Sequence, residues 1–181
     1  MPRLGCGGYT LRGWEHADVD VLREAADDPY IPAITTVPAR FDPPAAAVYI
    51  ERQTDRARTG EGYSVVVIDD SARVVEQHRV VAARCRPRAR RSGTPIVCSV
   101  RGKGCAAQLV AGLSGWAFTD LKIPRLELYV EPWNTASVRS AERAGFTPGR
   151  SAPVLAGGRR RTQGHVHLRQ APRRRWRVKR Q

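Results

Sequence analysis

Between Thr94 and Phe146 the chain permits essentially one order of elements. Thr94 to Val100 (TPIVCSV) is a short strand candidate, and Arg101 to Ala106 (RGKGCA) is a glycine-punctuated loop. Gly104 to Leu121 then sets Leu109, Val110, Leu113, Trp116 and Ala117 on one helical stripe. Arg125 to Val130 (RLELYV) alternates as a half-buried strand. Asn134 or Thr135 caps a further helix, which turns Val138, Ala141 and Ala144 inward and stops at Gly145; Phe146 begins another strand. Strand, loop, helix, strand, helix requires a sheet with helices laid on it.

Upstream, Tyr9 to Trp14 (YTLRGW) reads as a short first strand. Ala17 to Ala26 reads as a helix with Val21, Leu22, Ala25 and Ala26 on one face and acids in its early turns. Proline-rich punctuation follows. A second helix is expected from near Pro44 to about Thr59, with Val48, Tyr49 and Ile50 as its apolar contacts. Tyr63 to Ile68 (YSVVVI) is the clearest strand, and Arg73 to Val75 restarts extended structure. From Glu76 to Gly93 no period of two or 3.6 is sustained. At 181 residues the chain fits one mixed α/β (α+β) domain with an ordinary core.

Several function classes fall away. No run approaches the ~20 apolar residues of a membrane span, and the first residues lack the apolar stretch of a signal peptide, so the expectation is a cytoplasmic protein without a membrane partner. The four cysteines, at 6, 85, 98 and 105, are too scattered for a disulfide framework or a zinc site. His165 and His167 have no cysteine or carboxylate near them in sequence, so no metal is expected.

The net charge of +14 points toward nucleic acid until its distribution is read. Residues 77–103 hold eight basic residues and no acid, and residues 143–181 hold twelve and no acid; everywhere else the chain is mildly acidic. Two arginine-heavy blocks are set into an otherwise acidic domain.

The loop Arg101-Gly102-Lys103-Gly104-Cys105-Ala106 carries the chemistry. Its glycines let backbone approach a ligand, and the free N–H groups of the following helix, with the positive end of its dipole, suit a pyrophosphate. A plain tight turn before a helix accounts for the same residues, and the loop lacks the nucleotide P-loop pattern. Arg101, Gly104 and Ala106 match R-x-x-G-x-A, and Asn134, Ser137, Glu142, Gly145 and Phe146 match N-x-x-S-x-x-x-x-E-x-x-G-F. In these motifs, and in the opening segment LRGWEHADVDVLREAADDP, the chain resembles the GNAT superfamily of N-acetyltransferases. The branch that acetylates ribosomal-protein N-termini on alanine or serine is the most similar. The resemblance spans roughly residues 9–75 and 94–149.

The resemblance implies a GNAT-like central, mostly antiparallel sheet, flanked by helices, that splays after the strand ending near Val100. Acetyl-CoA is then the co-substrate, its pyrophosphate on backbone N–H groups of residues 102–106, with Arg101 and Lys103 adding attraction. A backbone donor in the 96–100 region would polarise the thioester carbonyl. Asn134 would hold the pantetheine arm, and Ser137 would protonate the departing CoA thiolate. Helix capping is the alternative role for both residues. The acceptor is a primary amine, on a protein N-terminus or a small molecule. It must lose a proton before attacking, and neither the splayed strand nor the C-terminal segment supplies a carboxylate; Glu142 is read as structural.

The expected organisation is an acetyltransferase domain over residues 9–158, atypical at 76–93, and a basic tail over 159–181 open to disorder. Three readings of the basic blocks stand. Arg173 to Arg180, with Trp176 stacking on a base, would give the tail weak nucleic-acid or ribosome binding. A second reading is a solvated tail with no role. The third is out-of-frame translation of a GC-rich gene across residues about 76–93 and 162–181, which yields Arg, Ala, Pro and Gly without acids; the composition fits this best. The alternatives to an active transferase are therefore a catalytically impaired relic of the family and a basic nucleic-acid-binding protein.

Overall fold

Leu4–Cys6 (β1) and Tyr9–Arg12 (β2) form a hairpin closed by Gly7 and Gly8 at φ 57° and 84°. Positive φ at both central residues is what a two-residue hairpin turn needs to match strand twist. The computed structural model describes residues 2–27, 32, 37–69, 74–80, 96–98, 105–149, 155–156, 159–160 and 166–172.

A 3₁₀ turn at His16–Asp18 leads into helix α1 (Val19–Asp27), which buries Leu22 and Ala25. Helix α2 (Pro43–Thr59) begins with proline in its first turn and is capped by Asp42, whose carboxylate accepts the Ala45 N–H at 3.1 Å. Its inward stripe is Ala46, Tyr49, Ile50 and Gln53. Val48, expected among the apolar contacts, is 60% exposed because it falls off the face set by that spacing.

Strand β3 (Tyr63–Asp69) is buried at Ser64 to Ile68, as a continuous β-branched run should be. It pairs antiparallel with β2 on one side and with β4 (Val74–Val80) on the other, with an irregularity between Val67 and Ile68. Strand β4 therefore continues to Val80, past Val75, where the sequence period was lost. Its partners, not its own alternation, hold it extended. Strand β5 (Ile96–Cys98) adds to β4 and completes an antiparallel sheet ordered β1-β2-β3-β4-β5.

Helix α3 (Ala106–Thr119) buries Leu109, Val110, Leu113, Trp116 and Ala117, the stripe read from sequence, although it starts at Ala106 and not Gly104. Strand β6 (Leu126–Val130) follows, then helix α4 (Thr135–Arg143) and β7 (Thr147–Pro148). Gly145 sits at φ 95° just beyond α4, the left-handed terminator expected there. Two short strands, β8 (Leu155–Ala156) and β9 (Arg159–Arg160), pair with each other.

Strand β10 (Val166–Gln170) lies inside the segment read as basic tail, yet it is the middle strand of a second antiparallel sheet ordered β6-β10-β7. Leu168 is fully buried, and Gln170 donates through Nε2 to the Ala144 carbonyl at 2.9 Å. Within Val-His-Leu-Arg-Gln the core-facing positions are Val166, Leu168 and Gln170, and a buried glutamine hides the alternation from a hydrophobicity reading.

The main core joins β1, β2 and β3 with α3, β6, α4 and β10 through Leu4, Leu11, Val65, Val67, Leu109, Leu113, Trp116, Leu126, Ala141 and Leu168. A smaller one packs Trp14, Leu22, Tyr49, Ile50 and Val66 under α1 and α2. The result is the mixed α/β architecture expected, with antiparallel sheets flanked by helices. Among the described residues no helix is long and apolar enough to cross a membrane.

Candidate functional site

The first and second sheets meet at β5 and β6. Their Cα atoms come within 8 Å, yet among the described residues the two strands share no ladder. Among the described residues strand β5 is paired with β4 on one edge and with no strand on the other. The opening between β5 and β6 is the splay, and among the described residues the main-chain groups on its β5 edge join no ladder.

Helix α3 starts next to this opening in sequence, after β5. Its first described i→i−4 bond runs from Leu109 N to the Cys105 carbonyl at 3.0 Å, so the N–H groups of Ala106, Ala107 and Gln108 come before it. No acid lies in that first turn, and the Cys105 side chain at the cap position makes no capping hydrogen bond. A helix start of this kind favours a bound anion. Cys105 and Ala106 are buried, so they offer main chain and not side chain. Arg101, Gly102, Lys103 and Gly104, the rest of the expected pyrophosphate loop, lie outside the described residues, as do Ser99 and Val100.

On the other side of the opening, Leu126, Leu128 and Val130 of β6 point into the core. A turn closed by Asn134 N–H to the Glu131 carbonyl at 2.9 Å, with Pro132 at its second position, joins β6 to α4. Asn134 is the helix cap: its Oδ1 accepts the Ser137 N–H at 3.2 Å. This bond uses the amide oxygen alone. The Asn134 Nδ2 group and the Ser137 hydroxyl, both only partly buried, form no hydrogen bond among the described residues. Ser140, one turn on, behaves differently, its hydroxyl donating to the Ala136 carbonyl at 2.9 Å. Thus the start of α4 presents the Asn134 amide donor and the Ser137 hydroxyl, neither hydrogen-bonded among the described residues; the exposed Thr135 hydroxyl is the same in this respect.

Residues 9–147 match the family model of the acetyltransferase (GNAT) domain. The chain belongs to the GNAT acetyltransferase family. The GNAT match ends before β10, which nevertheless completes the second sheet. Among solved structures the chain is similar to the ribosomal-protein-S5-alanine acetyltransferase of Vibrio fischeri, at 15% identity and a TM-score of 0.73 over 97% of this chain and 98% of that one. It is similar also to a putative ribosomal-protein-serine acetyltransferase of Vibrio cholerae, at 16% identity and 0.72 over 94% and 97%. A third is the Vibrio cholerae spermidine N-acetyltransferase in complex with CoA and spermine, at 17% identity and 0.69 over 91% and 95%. At these identities the likeness is one of fold. No curated protein matches the chain by sequence.

Sequence reasoning passed over Glu127, a buried carboxylate on β6 whose Oε1 lies 2.8 Å from Arg125 Nη2. Its signal was present, as an acid held between Leu126 and Leu128 in a strand. The ion pair commits it to charge balance and not to a free proton-accepting role. Glu142 is exposed near the end of α4. No group of three metal-binding side chains occurs among the described residues.

Proposed function

We propose that this GNAT acetyltransferase moves an acetyl group from acetyl-CoA to a primary amine, on a protein N-terminus or a small molecule. The observation that carries the reading is the pair of unconsumed groups on α4, Asn134 Nδ2 and the Ser137 hydroxyl, beside an opening between two sheets. Acetyl-CoA supplies a thioester carbonyl; the amine nitrogen bonds to its carbon and the carbon–sulfur bond breaks.

Each residue has a defined part in this scheme. The N–H groups at the start of α3, continuing the loop from Arg101 to Cys105, receive the pyrophosphate, and Ala106 sits at the first helical position. Asn134 Nδ2 donates to an amide carbonyl of the pantetheine arm while its Oδ1 keeps the helix capped. The free edge of β5 supplies a main-chain donor to the carbonyl oxygen as negative charge develops there. Ser137 gives its proton to the leaving sulfur and recovers one from solvent. The acceptor nitrogen loses its proton to water, since the buried acid Glu127 is already paired.

The test is release of free CoA thiol with a panel of amines: N-terminal peptides beginning with alanine or serine, and polyamines. Acetyl transfer to one class, sharply reduced in Ser137→Ala, is the expected outcome. Thiol release unaffected by Ser137→Ala would remove that residue from the mechanism, and no transfer to any amine would leave the impaired-relic reading in its place.

A further inference from the structure

Glycine is costly in the middle of a helix, because it loses the most backbone freedom on folding and contributes no side chain. Helix α3 nevertheless carries Gly112 midway along its length, directly under the buried Cys6 thiol of β1. A Cβ at Gly112 would run into Sγ and stand 3.4 Å from the Cys6 Cβ, so a side chain there would lift the helix from the strand. One turn toward the helix start, α3 meets the hairpin again: a Cβ on Gly7 would run into Gln108 Oε1. Gln108 and Gly112 are four residues apart and therefore lie on one side of the helix. Consecutive hairpin residues, Cys6 and Gly7, thus seat α3 at two points, and Leu4 and Leu11 share the core with Leu109 and Leu113.

The seat fixes more than the core. Gly112 stands six residues from Ala106, about 9 Å along a stiff helix, so the spacing of α3 from β1 at Gly112 sets where the first turn stands. That turn holds the N–H groups of Ala106, Ala107 and Gln108, which precede the first i→i−4 bond. Resting on the proposed function, in which these groups receive the pyrophosphate, we infer that Gly112 is a positioning residue for acetyl-CoA. Its missing side chain keeps the N–H groups at the height from which they reach the phosphate oxygens. Hydrogen bonds to an ionised acceptor are short and depend steeply on geometry, and a rigid shift of the helix lengthens all of them together.

Calorimetric titrations of the full chain with acetyl-CoA and with acetyl-pantetheine, which lacks the pyrophosphate, test this. Gly112→Ala should weaken acetyl-CoA by about three- to tenfold and leave acetyl-pantetheine unchanged. Adding Cys6→Ala, which removes the sulfur, should restore most of the acetyl-CoA affinity. Ile50→Val, in the smaller core under α2, is the control for stability alone: it should lower the melting temperature and leave both affinities as they are. Cys6→Leu crowds the same contact from the β1 side and should reproduce the split between the two ligands if Gly112→Ala does not fold. Equal weakening of both ligands, or unchanged affinity for both, would overturn the inference while leaving the proposed function intact. Failure of the wild type itself to bind acetyl-CoA would count against the proposed function and take the inference with it.

Discussion

The Asn134 side chain caps the helix that carries Ser137 by accepting the Ser137 N–H at 3.2 Å, so one residue's oxygen fixes the other's position. The two proposed roles of Asn134 are therefore separable by chemistry. Asn134→Asp keeps a good capping oxygen and removes the amide donor; its thermal stability should stay near wild type while acetyl-CoA affinity falls. Asn134→Ala should lose both, with about 1 kcal/mol of stability from the cap. If Asn134→Asp binds acetyl-CoA as the wild type does, Asn134 is a cap and nothing more.

Ser137→Ala should bind acetyl-CoA normally and turn over more slowly, by about 10²–10⁴-fold if proton donation to sulfur limits the rate. Steady-state kinetics beside calorimetry would show it. A raised Kd with unchanged kcat would mean that the hydroxyl binds and does not donate.

Arg12 and Asp18 form a buried two-pronged ion pair, Nη1 to Oδ2 at 2.6 Å and Nη2 to Oδ1 at 2.8 Å, and Asp18 also accepts the Glu15 N–H at 2.8 Å. The hydrogen bond to Asp18 is the main reason the Arg12 pKa is raised, over the opposing effect of its own burial. Asp18→Ala leaves a buried guanidinium uncompensated and should cost about 3–5 kcal/mol in chemical denaturation. A loss under about 1 kcal/mol would show the pair to be as weak as a surface bridge.

Gly112 of α3 lies under the Cys6 thiol of β1, and a Cβ there would run into Sγ. Gly112→Ala should destabilise by about 1–3 kcal/mol through overpacking, even though alanine favours a helix. Cys6→Ala, which removes the sulfur, should recover much of that loss in the double variant. Additive effects of the two changes would contradict the contact.

Burial pushes the Cys6 thiol up from 9.0 to about 11. A raised folded-state pKa means that the unfolded chain releases its proton first, so the fold's advantage is whole below pH 9 and is lost as pH rises to about 11. The melting temperature of the wild type should accordingly fall more steeply over this interval than that of Cys6→Ala. Parallel curves would contradict the burial.

Much of this was legible in the residues because periodicity and packing agree. The α3 stripe from Leu109 to Ala117, the β3 run and the Asn134 cap all follow from local pattern. What escaped depends on partners far along the chain. Strand β1 precedes the first recognisable alternation and is held by β2 and α3. Strand β4 past Val75 is held by β3 and β5, and β10 by β6 and β7, although their sequences are rich in polar residues. Asp18 and Glu127 read as ordinary surface acids until their arginine partners are seen. For the site, the residue types of Asn134 and Ser137 were readable; that the fold leaves Nδ2 and the hydroxyl unused was not.

Titration of the purified chain with acetyl-CoA in a calorimeter addresses the central claim directly. Saturable one-to-one binding, weakened in Asn134→Asp and unchanged in Ser137→Ala, is the predicted result. A chain that is folded by circular dichroism and yet gives no binding heat at several temperatures would contradict the account, and would reduce the splay between β5 and β6 to an inherited shape.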